Sequence, residues 1–398
     1  MALVSAHFQQ GDKMKVGSRR VFVGAAVLAF VALLGTAISA RQAAPAQGAG
    51  EPVPTSDNTL KNVQLLKGIP IDTFFESMGM FANALGVDCT FCHDSNAYFD
   101  KSAFANPTPR IMRARQMIVM MNALNKQYFG GQPRVTCFTC HQGTMQPRDE
   151  PNLALQYGEP VEDPNSRNFP AFTGVTAEQV LDKYLQALGG ADRVAKFTSY
   201  TAKGTYEGFD TAFDKRPVEI AGRAPAQQTM LVHMSNGDSV RTFDGQSGWW
   251  AGPDTPIPLL TLTAGNLEGA RLDALIAFPA GIKQAYSQWK VGRTDIEGRE
   301  VRIVQGLRDG QPQANFYFDS TGLVVRVVRW ARTPVGFVPT QVDYSDYRDV
   351  AGVKVPFKRT VSQTYMQMTV EFTDVQPNVQ VPASRFAKPT PWETKRMG

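Results

Sequence analysis

Apolar and polar positions divide the chain into stretches of different period. Residues 21–40 form an almost unbroken apolar run. Further on the period becomes helical: Phe74, Met78, Phe81 and Leu85 stand at i, i+4, i+7 and i+11, one face of a helix. That helix is expected to begin near Asp72 or Thr73, with Thr73 and Glu76 as a capping box, and to stop at Gly86. Met78 lies on its apolar stripe and Met80 lies off it. A second helix is expected from Thr108 as N-cap, through Pro109 in the first turn, to about Tyr128, where Gly130-Gly131 ends it. A third is capped by Thr176-Ala-Glu-Gln179, turns Val180, Leu181, Tyr184, Leu185 and Leu188 inward, and stops at Gly189-Gly190.

From Phe197 onward the period falls to two. Met366, Met368, Val370 and Phe372 alternate with Gln367, Thr369 and Glu371, and residues 323–330 follow an Asp319-Ser-Thr-Gly322 turn. About ten antiparallel strands are expected, interrupted by a helical insertion around residues 267–285. No internal repeat is long enough for a propeller. The order of periods thus predicts a multidomain protein: an α-helical domain over 57–150 and an α+β domain with an antiparallel sheet over 172–398. Residues 41–56, rich in Ala, Pro and Gly, and the proline-bearing stretch 151–171 read as linkers.

Charge adds little to this picture and removes one class of partner. The formal net charge is +5 over 398 residues, mixed in sign and without a block of like charges, so there is no case for nucleic acid. Lys13, Lys15, Arg19 and Arg20 precede the apolar run, and Ile38-Ser-Ala40 closes it with small residues. Residues 1–40 therefore read as a signal peptide or, uncleaved, as an N-terminal membrane anchor; either way the remainder is exported to the periplasm. Ser18-Arg-Arg-Val-Phe-Val23 also has a twin-arginine look. It is set aside because cofactor attachment of the kind described next follows export of an unfolded chain.

The chemistry is concentrated in two short runs, Cys89-Thr-Phe-Cys92-His93 and Cys137-Phe-Thr-Cys140-His141, which use all four cysteines. Each is a CxxCH, the attachment signature of a c-type haem. Two thiols three positions apart reach the two vinyl groups of one porphyrin, and the adjacent imidazole ligates the iron. A zinc site built from the two CxxC pairs is the alternative. A histidine after each pair and the export signal favour two covalently attached haems c. The cysteines then have no disulfides to make.

Counting histidines narrows the sixth ligand. Besides His93 and His141 there are only His7, before the apolar run, and His233, in the strand-rich half. Methionine is abundant where histidine is missing: Met78 on the first helix, and Met112, Met117, Met120 and Met121 on the second.

The arrangement Met78…Leu85-Gly-Val87…Cys89-Thr-Phe-Cys92-His93, then Ala114-Arg-Gln-Met117, then Val135-Thr-Cys137-Phe-Thr-Cys140-His141-Gln-Gly143 resembles the cytochrome c subunit of photosynthetic reaction centres. The resemblance covers roughly residues 60–148. It implies a repeated helix–turn–CxxCH unit with Met78 as sixth ligand of the first haem and Met117 of the second; charge alone would set Arg113 and Arg115 near the propionates. The family's full subunit carries four haems in two such halves, and this chain has one half. Its loop Phe129-Gly-Gly-Gln-Pro133 also lacks the family's cross-ligating histidine. The second half, with Asp244-Gly-Gln-Ser-Gly-Trp249, Asp346-Tyr-Arg-Asp349, Gly352-Val-Lys-Val-Pro356 and Phe386, resembles LolA-like lipoprotein-localisation carriers. That implies a curved antiparallel half-barrel with a helix in its opening and an apolar face able to hold a lipid.

No catalytic constellation stands out. His233 has no nucleophile beside it in sequence, and Asp343, Asp346 and Asp349 fit a turn better than paired acid–base work. The expectation is an electron-transfer protein rather than an enzyme, with His/Met ligation favouring ferrous iron and a high potential. It would exchange single electrons with redox partner proteins, such as a membrane electron-transfer complex. The alternatives are a dihaem peroxidase-like enzyme, which needs an open iron, and a redox-sensing lipid carrier.

Overall fold

The computed structural model describes residues 52–393 apart from 148, 159–162 and 164. The proposed signal or anchor, residues 1–40, lies outside the described residues. Among those described, no helix is long and apolar enough to cross a membrane.

The first part is helical. A turn α1 (Ser56–Thr59) precedes α2 (Ile71–Leu85), the CxxC turn α3 (Cys89–Cys92), α4 (Pro109–Tyr128), the second cysteine turn α5 (Cys137–His141) and a short α6 (Leu153–Tyr157). α4 starts as expected: Thr108 is the N-cap, its Oγ1 accepting from the Ile111 N–H at 3.2 Å, and Pro109 fills the first turn. α2 does not. Its N-cap is Pro70 with no side-chain cap, and Thr73 and Glu76 both lie inside the helix. The expected capping box is absent because the helix starts at Ile71, which leaves Thr73 past the N-cap, and Glu76 is buried. Gly86 ends α2 in the left-handed conformation (φ 67°), where a side chain would be strained.

The second part opens with α7 (Ala177–Ala187) and α8 (Ala191–Lys196). The Thr176/Gln179 capping box forms as the sequence predicts, and Val180, Leu181, Tyr184 and Leu185 are buried. Thirteen strands follow among the described residues, against about ten expected. β1 (Ser199–Gly208), β2 (Arg216–Arg223), β3 (Gln227–Met234), β4 (Gly237–Phe243), β5 (Gly248–Ala251) and β6 (Leu260–Leu262) form one meander. After α9 (Ala264–Ala277) come β7 (Gln288–Ile296), β8 (Arg299–Arg308), β9 (Gln311–Phe318), β10 (Val324–Thr333), β11 (Gly336–Val350), β12 (Val353–Ser362) and β13 (Gln367–Pro377), a second meander. The two join where β1 pairs antiparallel with β13, with Thr205 opposite Glu371, giving one antiparallel sheet with β6 and β7 at its edges.

The sheet curls. Flat, β4 and β10 would lie about 34 Å apart at ordinary strand spacing. α9, about 21 Å long by its rise per residue, nevertheless touches both. The main core fills the concave side, where Leu181 and Tyr184 of α7, Leu272 and Ile276 of α9, and Ile220, Val304, Phe316 and Val327 of the sheet pack together. Between the sheet and α9 remains a cavity of about 40 Å³ with Arg241, Asp273 and Arg359 among its lining residues. That is far below the several hundred Å³ of an ordinary ligand pocket. Residues 165–172 run across the opposite side: Asn315 and Gln305 donate to the carbonyls of Ser166 and Arg167, and Trp330 donates its indole N–H to Asn165 O at 2.8 Å.

Candidate cofactor site

Each cysteine pair sits on a single capped helical turn, which puts positions i and i+3 on the same side. Asp88 caps the first: its Oδ1 accepts from Phe91 N–H at 3.1 Å and from Thr90 Oγ1 at 2.7 Å. Thr136 and Thr139 cap the second reciprocally, with Thr139 N–H donating to Thr136 Oγ1 and Thr136 N–H to Thr139 Oγ1. All four thiols are free. Burial pushes the Cys137 thiol up to about 11 and also raises Cys89 and Cys92. The two pairs do not converge, since among the described residues no three Cys, His, Asp or Glu side chains cluster as a metal site.

The histidines are oriented alike. His93 Nδ1 lies 2.9 Å from the carbonyl oxygen of Phe104, and His141 Nδ1 lies 3.1 Å from that of Thr144. A carbonyl only accepts, so Nδ1 carries the proton in both and Nε2 keeps its lone pair for a metal. Thr144 is itself fastened, its Oγ1 donating to His141 O and Gln146 O, each at 2.7 Å. Burial lowers the His93 pKa, favouring the neutral ring a ligand requires. This pattern, one ring nitrogen fixed to a carbonyl and the other free, is the usual outer support of a metal-bound imidazole. The residues present fit haem c at both turns.

The two units interlock. Gly143 N–H donates to Ala84 O at 2.9 Å, tying the second cysteine turn to α2, and Gly86 lies against the Gly143 carbonyl. Thr108 Oγ1 donates to Cys92 O at 2.6 Å, tying α4 to the first turn. Arg110 was not singled out by sequence. It donates to Phe91 O at 2.7 Å and lays its guanidinium 3.9 Å from the Phe91 ring centre. Of the two arginines expected at the propionates, Arg113 is exposed and Arg115 donates to Asn62 O at 2.7 Å.

Met78 and Met117 are both half-buried, Met78 on the same face of α2 as the half-buried Phe74, Phe81 and Leu85. Met80 differs from expectation. It is 6 % exposed and packs with Met121, Ala331, Val335 and Val338, the last three at the β10–β11 hairpin. α2 therefore has a second covered face, made of Asp72, Glu76, Gly79 and Met80, which its polar residues disguise in the sequence. Asp72 accepts the Thr263 N–H at 2.5 Å and the Thr263 hydroxyl at 2.6 Å. Glu76 is 2 % exposed; burial pushes its carboxyl up, and the nearby Arg329 guanidinium opposes that rise.

Comparison with known proteins follows the same division of the chain. Residues 71–159 match the family described as photosynthetic reaction centre cytochrome C subunit. The photosynthetic reaction center cytochrome c subunit of Roseobacter denitrificans is 31% identical over 98 residues, 21% of this chain and 26% of that protein. That of Rubrivivax gelatinosus is 27% identical over 121 residues, 27% of this chain and 30% of its own. The chain thus spans about a quarter to a third of these relatives. Among solved structures, a LolA superfamily protein from Nitrosomonas europaea (13% identity, TM-score 0.37) covers 54% of this chain and 99% of its own. A lipoprotein-sorting protein domain from Vibrio parahaemolyticus (9% identity, TM-score 0.36) covers 54% and 98%. The segment with the two CxxCH turns is thus similar to photosynthetic reaction centre cytochrome C subunits, and an antiparallel sheet follows it.

Proposed function

We propose that this protein is an exported c-type cytochrome carrying two haems, which passes single electrons between redox partners. The observation that carries the reading is the matched pair of histidines, each within a CxxCH turn and each with Nδ1 held by a backbone carbonyl. The family match over 71–159 supports the same reading. A haem held at either turn would supply one-electron iron chemistry.

The chain's own contribution is attachment, orientation and exclusion. Cys89, Cys92, Cys137 and Cys140 would provide the thioether links, and His93, His141, Met78 and Met117 would hold the iron. Ligation by both histidine and methionine would leave no open iron position for peroxide, which is how this reading differs from a peroxidase-like enzyme. We take 57–150 as the haem domain and 172–398 as the sheet domain, and the periplasm as the compartment, with the 1–40 segment as signal or anchor. Donor and acceptor are redox proteins, and a membrane electron-transfer complex is the natural acceptor class for the matched family. The filled concave face does not favour a lipid-carrier reading.

The test is the mass of the intact protein after expression with haem-ligation machinery. Two haem increments are expected. The Cys89→Ser/Cys92→Ser variant should lose one and the Cys137→Ser/Cys140→Ser variant the other. A wild-type mass with no increment overturns the reading.

A further inference from the structure

We propose that the sheet domain is a clamp that sets where α2 presents Met78 to the first haem, with Asp72, Thr263, Asn266 and Arg329 as positioning residues. This rests on the ligand role given to Met78 above. Asp72, Glu76 and Met80 recur every four residues along one face of α2, whereas Phe74, Met78, Phe81 and Leu85 lie on the opposite face. A helix is stiff across its width, so whatever holds the first face sets the height and rotation of the second.

That first face is held by the sheet domain. The Asp72 carboxylate takes the N–H and the hydroxyl of Thr263, and Asn266 Nδ2 approaches it at 3.4 Å, all from the start of α9. Asn266 Oδ1 in turn accepts from Arg329 Nη2 of β10 at 3.2 Å, and Arg329 is 5 % exposed. Two glycines make the approach this close. A Cβ on Gly79 would collide with Thr364 and Tyr365, and one on Gly269 with the Arg329 guanidinium. The second cysteine turn holds the far end of α2 by the hydrogen bond from Gly143 N–H to Ala84 O, and Cys137 packs near Met80 and Phe81. The turn that leads into Met78 is fixed by α9 and β10.

The experiment uses the full-length haem-loaded protein and reads the methionine–iron charge-transfer band and the midpoint potential of each haem. Met78→Ala is the reference. Thr263→Val keeps shape and charge while removing the hydroxyl donor, and Asp72→Ala removes the acceptor. Both should weaken the band contributed by one haem and lower that haem's potential, in the direction of Met78→Ala, with the other haem unchanged. Asp72→Asn keeps one acceptor oxygen and should recover most of the loss. If Asp72→Ala does not fold, Thr263→Val carries the test. If Met78→Ala abolishes the band of one haem while Thr263→Val leaves band and potentials at wild-type values, the clamp is overturned and the ligand reading stands. A raised potential with an intact band in Asp72→Ala marks a pure charge effect and also overturns it. If Met78→Ala leaves the band untouched, the ligand reading fails, and the clamp fails with it.

Discussion

Asp72 and Thr263 stand 191 positions apart, yet the carboxylate of the first accepts both the amide and the hydroxyl proton of the second. Few side chains in the molecule tie its two halves so directly. The pair also explains why a carboxylate is tolerated at 3 % exposure beside an apolar helix face. Hydrogen bonds to a charged group contribute about 1.5–3 kcal/mol each, and a buried donor left without a partner costs about 1–3 kcal/mol. Asp72→Ala should therefore lower unfolding stability by about 2–4 kcal/mol, measured by chemical denaturation. A change within experimental error would mean the junction is held by packing alone.

The proposed ligands Met78 and Met117 predict separable spectra. Met78→Ala and Met117→Ala should each remove the charge-transfer band of one haem and lower one midpoint potential, because a thioether favours ferrous iron. The double variant should lose both and gain peroxide turnover through the opened positions. Single variants whose spectra match wild type would point instead to Met80 or Met121; both are buried at the β10–β11 hairpin.

Gly86 tests the interlock between the two cysteine turns. Its φ of 67° already costs a side chain about 1–2 kcal/mol, and an added Cβ would run into the Gly143 carbonyl. Gly86→Ala should destabilise by at least about 2 kcal/mol and broaden the spectra of both haems. Gly130→Ala, left-handed but with open space around it, should cost only the conformational part.

Stability should depend on pH through buried carboxylates. Burial raises the pKa of Asp72, Asp210 and Asp254 above the ordinary 3.8. The folded state then binds protons more readily than the unfolded one between 3.8 and the raised values, so stability falls as pH rises through that window. Acidifying from neutral should first increase the unfolding free energy. Exposed carboxylates with lowered pKa, Asp88 and Asp346 among them, reverse the trend once pH drops below about 4. Denaturant titrations across that range check it; a monotonic fall from neutral would contradict the assignment. Asp254→Asn, keeping its place beside Ser239 (Oγ to Oδ2, 2.9 Å), should flatten the rise.

Much of this protein was legible in its residues because the signals are local. A CxxCH is five consecutive positions, a Thr–Gln capping box spans four, and alternation declares a strand within six; the box forms at Thr176–Gln179 and the strand at Gln367–Pro377. The candidate ligands Met78 and Met117 were found by resemblance and by the shortage of histidine, again from short-range arrangement. Tertiary structure alone decided what covers the other side of α2. Asp72 and Glu76 look like ordinary solvent-facing or capping residues, and Met80 like a stray methionine, because their partners Thr263, Asn266, Arg329 and Val335 lie far along the chain. The same holds for the strand count and the closing of the concave face. Short edge strands such as β6 carry too few residues to show a period. Curvature arises only when β1 meets β13 and the sheet wraps α9. Local chemistry picks out the CxxCH turns; long-range packing decides how the helix before the first of them is held.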